Sequence, residues 1–178
     1  MDFFLFQEIN NLAGQWKILD YFGIFCAEYL IFLMATAVII LFLTRGDSSE
    51  TKKENILKVS LSVVGSYLLK IVIQLFYFRP RPFVDHEVVK LIDKSSSSAA
   101  FPSGHTIVAF ALAFSIFYYN KKLGALFIFL ATLVSLGRIY TGVHYPLDVV
   151  FGIIVAWITV YAIGKMPWKK LINRFIQK

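Results

Sequence analysis

The sequence predicts an all-α fold: a polytopic membrane helix bundle of five to six helices, about five full spans plus an N-terminal interfacial helix. Three observations carry that prediction. Hydrophobic residues make up 58% of the chain and the mean hydropathy is +0.68, where a soluble domain is about half apolar. Only 16% of residues are charged, against about a quarter in soluble domains. Those charges are bunched between apolar runs that approach the roughly 20 residues a bilayer core requires of a helix. No linker, internal repeat or low-complexity tract interrupts the series, so residues 1–178 are expected to form a single integral-membrane domain. The lone cysteine, Cys26, excludes an intrachain disulfide.

Taken in order, residues 2–19 set Phe3, Phe4, Leu5, Phe6, Ile9, Leu12 and Trp16 among polar residues at roughly helical spacing. This stretch is too polar to span and is expected to lie at the interface. Asp2 and Glu8 stand where a cleaved signal would be basic, so no such signal is expected. The first span runs from about Tyr21 to Leu43 and contains Glu28, an acid that at such depth must face the bundle interior or lie near an end. Residues 44–58 read as a polar loop, followed by a second span from about Val59 to Phe78 with Lys70 inside it. Arg79-Pro80-Arg81-Pro82 stops that helix, since neither proline can continue it.

A longer loop, 83–100, leads to a third helix at Ser103, a favourable N-cap after Pro102. Asn120-Lys121-Lys122 makes a tight connection to a fourth span, about Leu123 to Arg138. Thr141 to Tyr145 forms a turn, and Pro146 opens a fifth span reaching about Lys165. The tail, 166–178, is basic with interspersed apolar residues and suits a second interfacial helix.

The net charge of +7 is a matter of topology and calls for no nucleic acid. If 44–58, 120–123 and the tail share one side, that side carries eleven lysines and arginines, against six on the other. The positive-inside rule puts the richer side in the cytoplasm. The expected location is the plasma (inner) membrane, multi-pass, with Arg79, Arg81 and Arg138 on the extracytoplasmic side.

With alternating spans, separate helix ends converge there. Arg79 and Arg81 close the second span, Ser103, Gly104 and His105 open the third, Arg138 closes the fourth, and His144 and Asp148 flank the start of the fifth. Each piece has a plainer reading: arginines meet lipid headgroups, Asp148 is an N-terminal helix charge, His144 is a turn residue. Their convergence is the informative feature, and its chemistry is phosphoryl transfer. Arginine forks match phosphate oxygens, and a helix start at Gly104 adds free backbone donors and a favourable dipole. A histidine attacks phosphorus when a carboxylate orients its far nitrogen, a pairing open to His144 and Asp148. His105 is then placed to protonate the leaving oxygen. Two histidines and an acid also suit zinc, but the neighbouring arginines repel a cation, so neither metal nor other cofactor is expected.

These residues resemble a known family. Arg81-Pro82, Pro102-Ser103-Gly104-His105, and Arg138 followed by His144 and Asp148 are similar to the three signature motifs of the type 2 phosphatidic acid phosphatase / vanadium haloperoxidase superfamily. The resemblance implies His144 as nucleophile, Asp148 as its orienting partner, His105 as acid, and Arg81, Arg138, Ser103 and Gly104 as phosphate ligands. The family's first motif sets a lysine, six intervening residues and then Arg-Pro. Counting back from Arg81 reaches Gln74, and from Arg79 reaches Val72; Lys70 lies one turn before Gln74. Lys70, Gln74 and Arg79 therefore join the candidates, with Lys70 alternatively pairing with Glu28. Gly137 stands where the family usually has a serine.

Cys26-Ala27-Glu28-Tyr29, Tyr77 to Phe83 and Gly142-Val143-His144-Tyr145-Pro146 are further similar to small bacterial undecaprenyl pyrophosphate phosphatases of the bacitracin-resistance type. That similarity implies hydrolysis of a polyprenyl diphosphate to the monophosphate, with the bilayer and a lipid diphosphate as partners. Phosphatases of phosphatidylglycerophosphate, phosphatidate or lipid A share the motifs. A non-catalytic carrier of phosphorylated lipids would use the same basic pocket without needing His144 and Asp148 as a pair.

Overall fold

The computed structural model describes residues 1–44, 46 and 49–168. The described residues fold as helices: α1 (Asp2–Asn10), α2 (Lys17–Ile24), a π turn (Phe25–Tyr29), α3 (Leu30–Thr44), α4 (Ser49–Phe76), α5 (Pro82–Asp85), α6 (Gly104–Tyr119), α7 (Lys121–Tyr140) and α8 (Pro146–Gly164). Four stretches are long and apolar enough to cross a membrane: Lys17–Thr44, which joins α2, the π turn and α3, then Thr51–Phe76, Lys121–Tyr140 and Pro146–Gly164.

The fifth apolar helix, α6, has only 16 residues, about 24 Å at 1.5 Å per residue. It is the hub of the bundle, in contact with α3, α4, α7 and α8. Nine of its residues are buried, Ala109, Ala111 and Ala113 completely. Alanines let neighbouring backbones approach closely, and a helix sheathed by other helices need not match the thickness of the lipid.

The helix ends follow local chemistry. Arg79-Pro80 and Arg81-Pro82 follow closely on the end of α4, and α5 and α8 each carry proline in the first turn. Asn120 closes α6 and caps α7, its side chain accepting from Leu123 N at 3.0 Å.

Two segments differ from the sequence expectation, and a third is described only at its start. Within residues 2–19, α1 is only nine residues and docks on the bundle: Phe6 is fully buried against Ile139, Tyr145 and Val149. Asn10 donates to Val89 O at 2.8 Å and Tyr140 O at 2.9 Å, and accepts from Val89 N at 3.1 Å. Residues 17–19 already belong to the first spanning helix. Most of the expected loop 44–58 is the start of α4, where Glu54 and Lys58 pair one turn apart at 2.5 Å, a spacing that supports a polar helical turn. Of the tail, 169–178 lies outside the described residues; Trp168 is buried and donates from Nε1 to Ile163 O at 2.7 Å.

Candidate active site

One cavity of about 670 Å³ gathers the polar residues of several helix ends. Lys70, Gln74, Arg81, Gly104, His105, Arg138 and His144 line it, joined by Lys94 and Ser98 from the loop after α5. The two imidazoles therefore share a chamber. On its apolar flank stand Ile31, Phe32 and Ala35 of α3, Tyr67 of α4 and Val108 of α6.

His144 sits in the turn between α7 and α8. Gly142 makes that turn possible: its φ of +82° lies in the left-handed region, and a Cβ there would come within 2.3 Å of Val89 O. The His144 ring is only 3% exposed. Its Nε2 lies 3.3 Å from Arg81 Nη1, and since a guanidinium only donates, Nε2 must accept. The remaining proton is then on Nδ1, which faces Asp148 Oδ2 at 3.6 Å. Burial first, then the charges of Arg138 and Arg81, hold this imidazole well below its ordinary range, hence neutral.

The expected pairing with Asp148 is close but not closed, because 3.6 Å exceeds hydrogen-bond reach and Nδ1 has no hydrogen-bond partner. Asp148 is fully buried and otherwise engaged. Its Oδ2 accepts from Tyr145 N at 2.8 Å, capping α8, and its Oδ1 accepts from Arg79 at 2.8 Å.

The two arginines after α4 part company. Arg81 reaches the cavity, braced by Ser98 Oγ at 3.0 Å, Ser98 O at 3.2 Å and Val143 O at 2.9 Å. Burial, reinforced by the charge of Arg138, lowers its pKa to about 10, so it stays cationic at neutral pH. Arg79 does not line the cavity. Its guanidinium is committed to Asp148 at 2.8 Å and Asp2 at 2.6 Å and lies over the Tyr145 ring at 4.0 Å. Burial works against its charge, but the two carboxylates outweigh that and hold its pKa above the usual arginine value.

Arg138 is almost wholly buried at 1% exposure. Its Nη1 donates to Glu28 at 2.6 Å and Ala27 O at 3.2 Å, while its buried Nε has no partner. The carboxylate of Glu28 also holds Lys94 at 3.2 Å. This corrects the pairing of Lys70 with Glu28: the intramembrane acid serves Arg138 and Lys94. Lys70 instead extends along the cavity, its ammonium 4.9 Å from the Tyr67 ring centroid. A Cβ added to Gly104 would lie 3.2 Å from Lys70 Cε, so the lysine passes beside the start of α6.

Gln74 also lines the cavity but spends its amide on Phe101 O at 3.2 Å. Ser103 precedes the first residue of α6 as expected, yet its side chain makes no cap hydrogen bond. It is fully buried, off the cavity wall, and its Oγ accepts from Thr106, which accepts from Ser135, each at 3.1 Å. Gly137, the departure from the family's serine, is explained by packing: a Cβ there would lie 2.8 Å from Ala27 N in the π turn.

Lys94 and Asp2 were not singled out as site residues from sequence. Lys94 lies in a loop without periodicity, and Asp2 acts through Arg79, 77 residues away. Glu28 did carry a signal, an acid within a span, but its partners depend on tertiary structure. The third histidine, His86, stacks on Phe3 with centroids 3.7 Å apart and takes no part in the cavity.

Comparison with known proteins agrees with this geometry. A family model described as the PAP2 superfamily matches residues 55–172. The chain is 33% identical over 156 residues to the undecaprenyl-diphosphatase BcrC of Bacillus subtilis (strain 168), covering 88% of this chain and 79% of that one. It is 35% identical over 147 residues to the bacitracin transport permease protein BcrC of Bacillus licheniformis, covering 83% and 71%. Among solved structures, Aquifex aeolicus LpxE superposes with a TM-score of 0.73 at 29% identity over 93% of this chain and 95% of that one.

Proposed function

The chain belongs to the PAP2 superfamily and is a lipid phosphatase of the membrane, and on that premise we propose that its substrate is a polyprenyl diphosphate of the undecaprenyl class, hydrolysed through a phosphohistidine. The observation that carries the reading is the shared chamber: two imidazoles and the cations Lys70, Arg81 and Arg138 against an apolar flank of Ile31, Phe32, Ala35 and Val108. The head needs the cations and the prenyl chain needs the flank.

In the proposed reaction, neutral His144 attacks the terminal phosphorus with Nε2. The P–O bond to the inner phosphate breaks, and a proton from His105 goes to the leaving oxygen. Anionic substrate favours the protonated form of His105 by its charge. Water then attacks the phosphohistidine, returns a proton to His105 and releases inorganic phosphate. Arg81, Arg138, Lys70 and the Gly104 amide surround the transferring oxygens, where fixed donors act most strongly. Asp148 keeps the proton of His144 on Nδ1 when substrate tightens the 3.6 Å approach. Gln74 shapes the cradle from the cavity wall and Ser103 from behind it. Metal is dispensable because guanidinium and ammonium groups already supply the positive charge.

The charge asymmetry of the loops favours a site open to the extracytoplasmic side of the plasma membrane, where the freed lipid monophosphate would re-enter the carrier cycle of cell-wall synthesis. The test is a substrate panel on purified protein comparing C55 prenyl diphosphate, phosphatidylglycerophosphate and phosphatidate with EDTA present. Phosphate release preferring the prenyl diphosphate is expected. Preference for another lipid would move the substrate and leave the chemistry, while translocation without cleavage in liposomes would favour a carrier.

A further inference from the structure

We propose that Lys94 is the specificity-determining residue for diphosphates, holding the inner phosphate that stays with the lipid. The inference rests on the reaction just described and concerns a residue outside the three signature motifs.

The transferring phosphoryl group must sit against His144 Nε2, and the guanidinium of Arg81 is 3.3 Å from that nitrogen. Lys70 passes beside Gly104 and its charge also acts on His144. These groups, with Arg138, surround one phosphate. Lys94 enters the cavity from the loop after α5 and is neighbour to Arg138. Its Nζ is 3.2 Å from Glu28 Oε1, and the same oxygen is 2.6 Å from Arg138 Nη1. His105, the proposed acid, lines the same cavity as Lys94 and Arg138. Arg81 is the cation in contact with His144 Nε2, whereas Lys94 is held at the Glu28–Arg138 pair, which leaves its ammonium to the phosphate that bears the leaving oxygen.

Charge supports the same assignment. The cavity wall carries Lys70, Arg81, Lys94 and Arg138, and Glu28 at its edge offsets only one of them. A phosphomonoester brings about −1.5 to −2 at neutral pH, and a second phosphoryl unit adds about one further charge. A monophosphate thus leaves a cation unmatched, whereas a diphosphate occupies all of them. Glu28 docks the flexible Lys94 side chain near its working position before substrate arrives. The lysine keeps 28% of its side chain exposed and remains free to turn toward a ligand.

The experiment compares farnesyl diphosphate with farnesyl monophosphate for wild type, Lys94→Met and Lys94→Arg in detergent. Lys94→Met is expected to lower kcat/KM for the diphosphate by about tenfold or more, the size of one charge-assisted contact. The monophosphate should change by less than about twofold, and Lys94→Arg should restore most of the diphosphate preference. Equal loss on both substrates, loss on neither, or an arginine variant as poor as the methionine one would overturn the proposal. Competitive inhibition gives an independent readout: Lys94→Met should weaken inorganic pyrophosphate and leave inorganic phosphate unchanged, and parallel weakening of both would overturn it too. A wild-type preference for phosphatidate in the substrate panel would sink the polyprenyl reading instead, while pyrophosphate against phosphate still judges Lys94.

Discussion

The bundle holds a cavity near each end, and the two differ in what helix geometry and charge make of similar walls. The candidate site, about 670 Å³, is built at the N-terminus of α6 and the turn that leads into α8. The opposite cavity, about 410 Å³, lies at the C-terminal ends of the same two helices, lined by Ser115, Tyr118, Tyr119, Ile163 and Gly164 with Asn55, Lys58 and Ser62 of α4. A helix start presents unpaired N–H groups and a positive dipole end; a helix finish presents carbonyls and the negative end. The first cavity adds four cations to its dipoles. The second offers Lys58, already paired with Glu54 at 2.5 Å, among hydroxyl and amide groups. Hydroxyls and aromatic walls are therefore not enough for anion chemistry here. The start of α6, four cations against the single carboxylate of Glu28, and two imidazoles are what set the candidate site apart.

Mutations can break that contrast, beginning with the largest effect. His144→Ala should abolish phosphate release, by at least about 10³-fold, while gel filtration in detergent remains unchanged; near-normal turnover would end the phosphohistidine mechanism. Arg81→Lys should cost about 10²-fold in kcat/KM, because an ammonium cannot reproduce the planar fork braced by Ser98 and Val143.

The same cation depresses the titration of His144, after burial and Arg138. In nitrogen-labelled protein, the His144 signal, assigned by its loss in His144→Ala, should protonate well below pH 6.5, and Arg81→Met should move that midpoint upward. Since the folded form resists protonation, acid draws the chain toward unfolded states that accept the proton. The contribution of His144 to stability is therefore full above about pH 6.5 and falls as pH drops below it.

Smaller effects sharpen the comparison. Asp2→Asn removes a carboxylate that holds Arg79 at 2.6 Å and accepts from Leu147 N at 2.9 Å. With Arg79 bearing on Asp148, kcat should drop about fivefold with KM little changed; a change in KM alone would show that α1 acts on substrate entry. At the opposite cavity, Lys58→Met should alter activity by less than about twofold, and a loss comparable to that of Arg81→Lys would show that the two ends work together.

Much of this was legible in the chain. Proline marks the starts of α5 and α8 and the end of the second span, since its ring permits only those positions. Hydropathy located every apolar helix. It could not show that α4 begins at Ser49, because a solvated helical turn and a polar loop share a composition. It also left α1 at the interface, where packing of Phe6 and the hydrogen bonds of Asn10 draw it onto α7 and α8. For the site, motif spacing singled out His105, His144, Arg81 and Arg138, all of which line one cavity. Spacing was silent on Lys94, and of the two roles open to Lys70 the pairing with Glu28 is excluded by Arg138 and Lys94.

By itself, the order of residues determined how many apolar helices there are, where most of them end and which reactive groups stand at those ends, because hydrophobicity and backbone restriction act locally. Only tertiary structure decided which cation meets which carboxylate: Arg79 behind Asp148, Arg138 and Lys94 on Glu28, Lys70 beside Gly104. Charges choose partners by distance in three dimensions, and burial magnifies that choice, so no spacing along the chain encodes it.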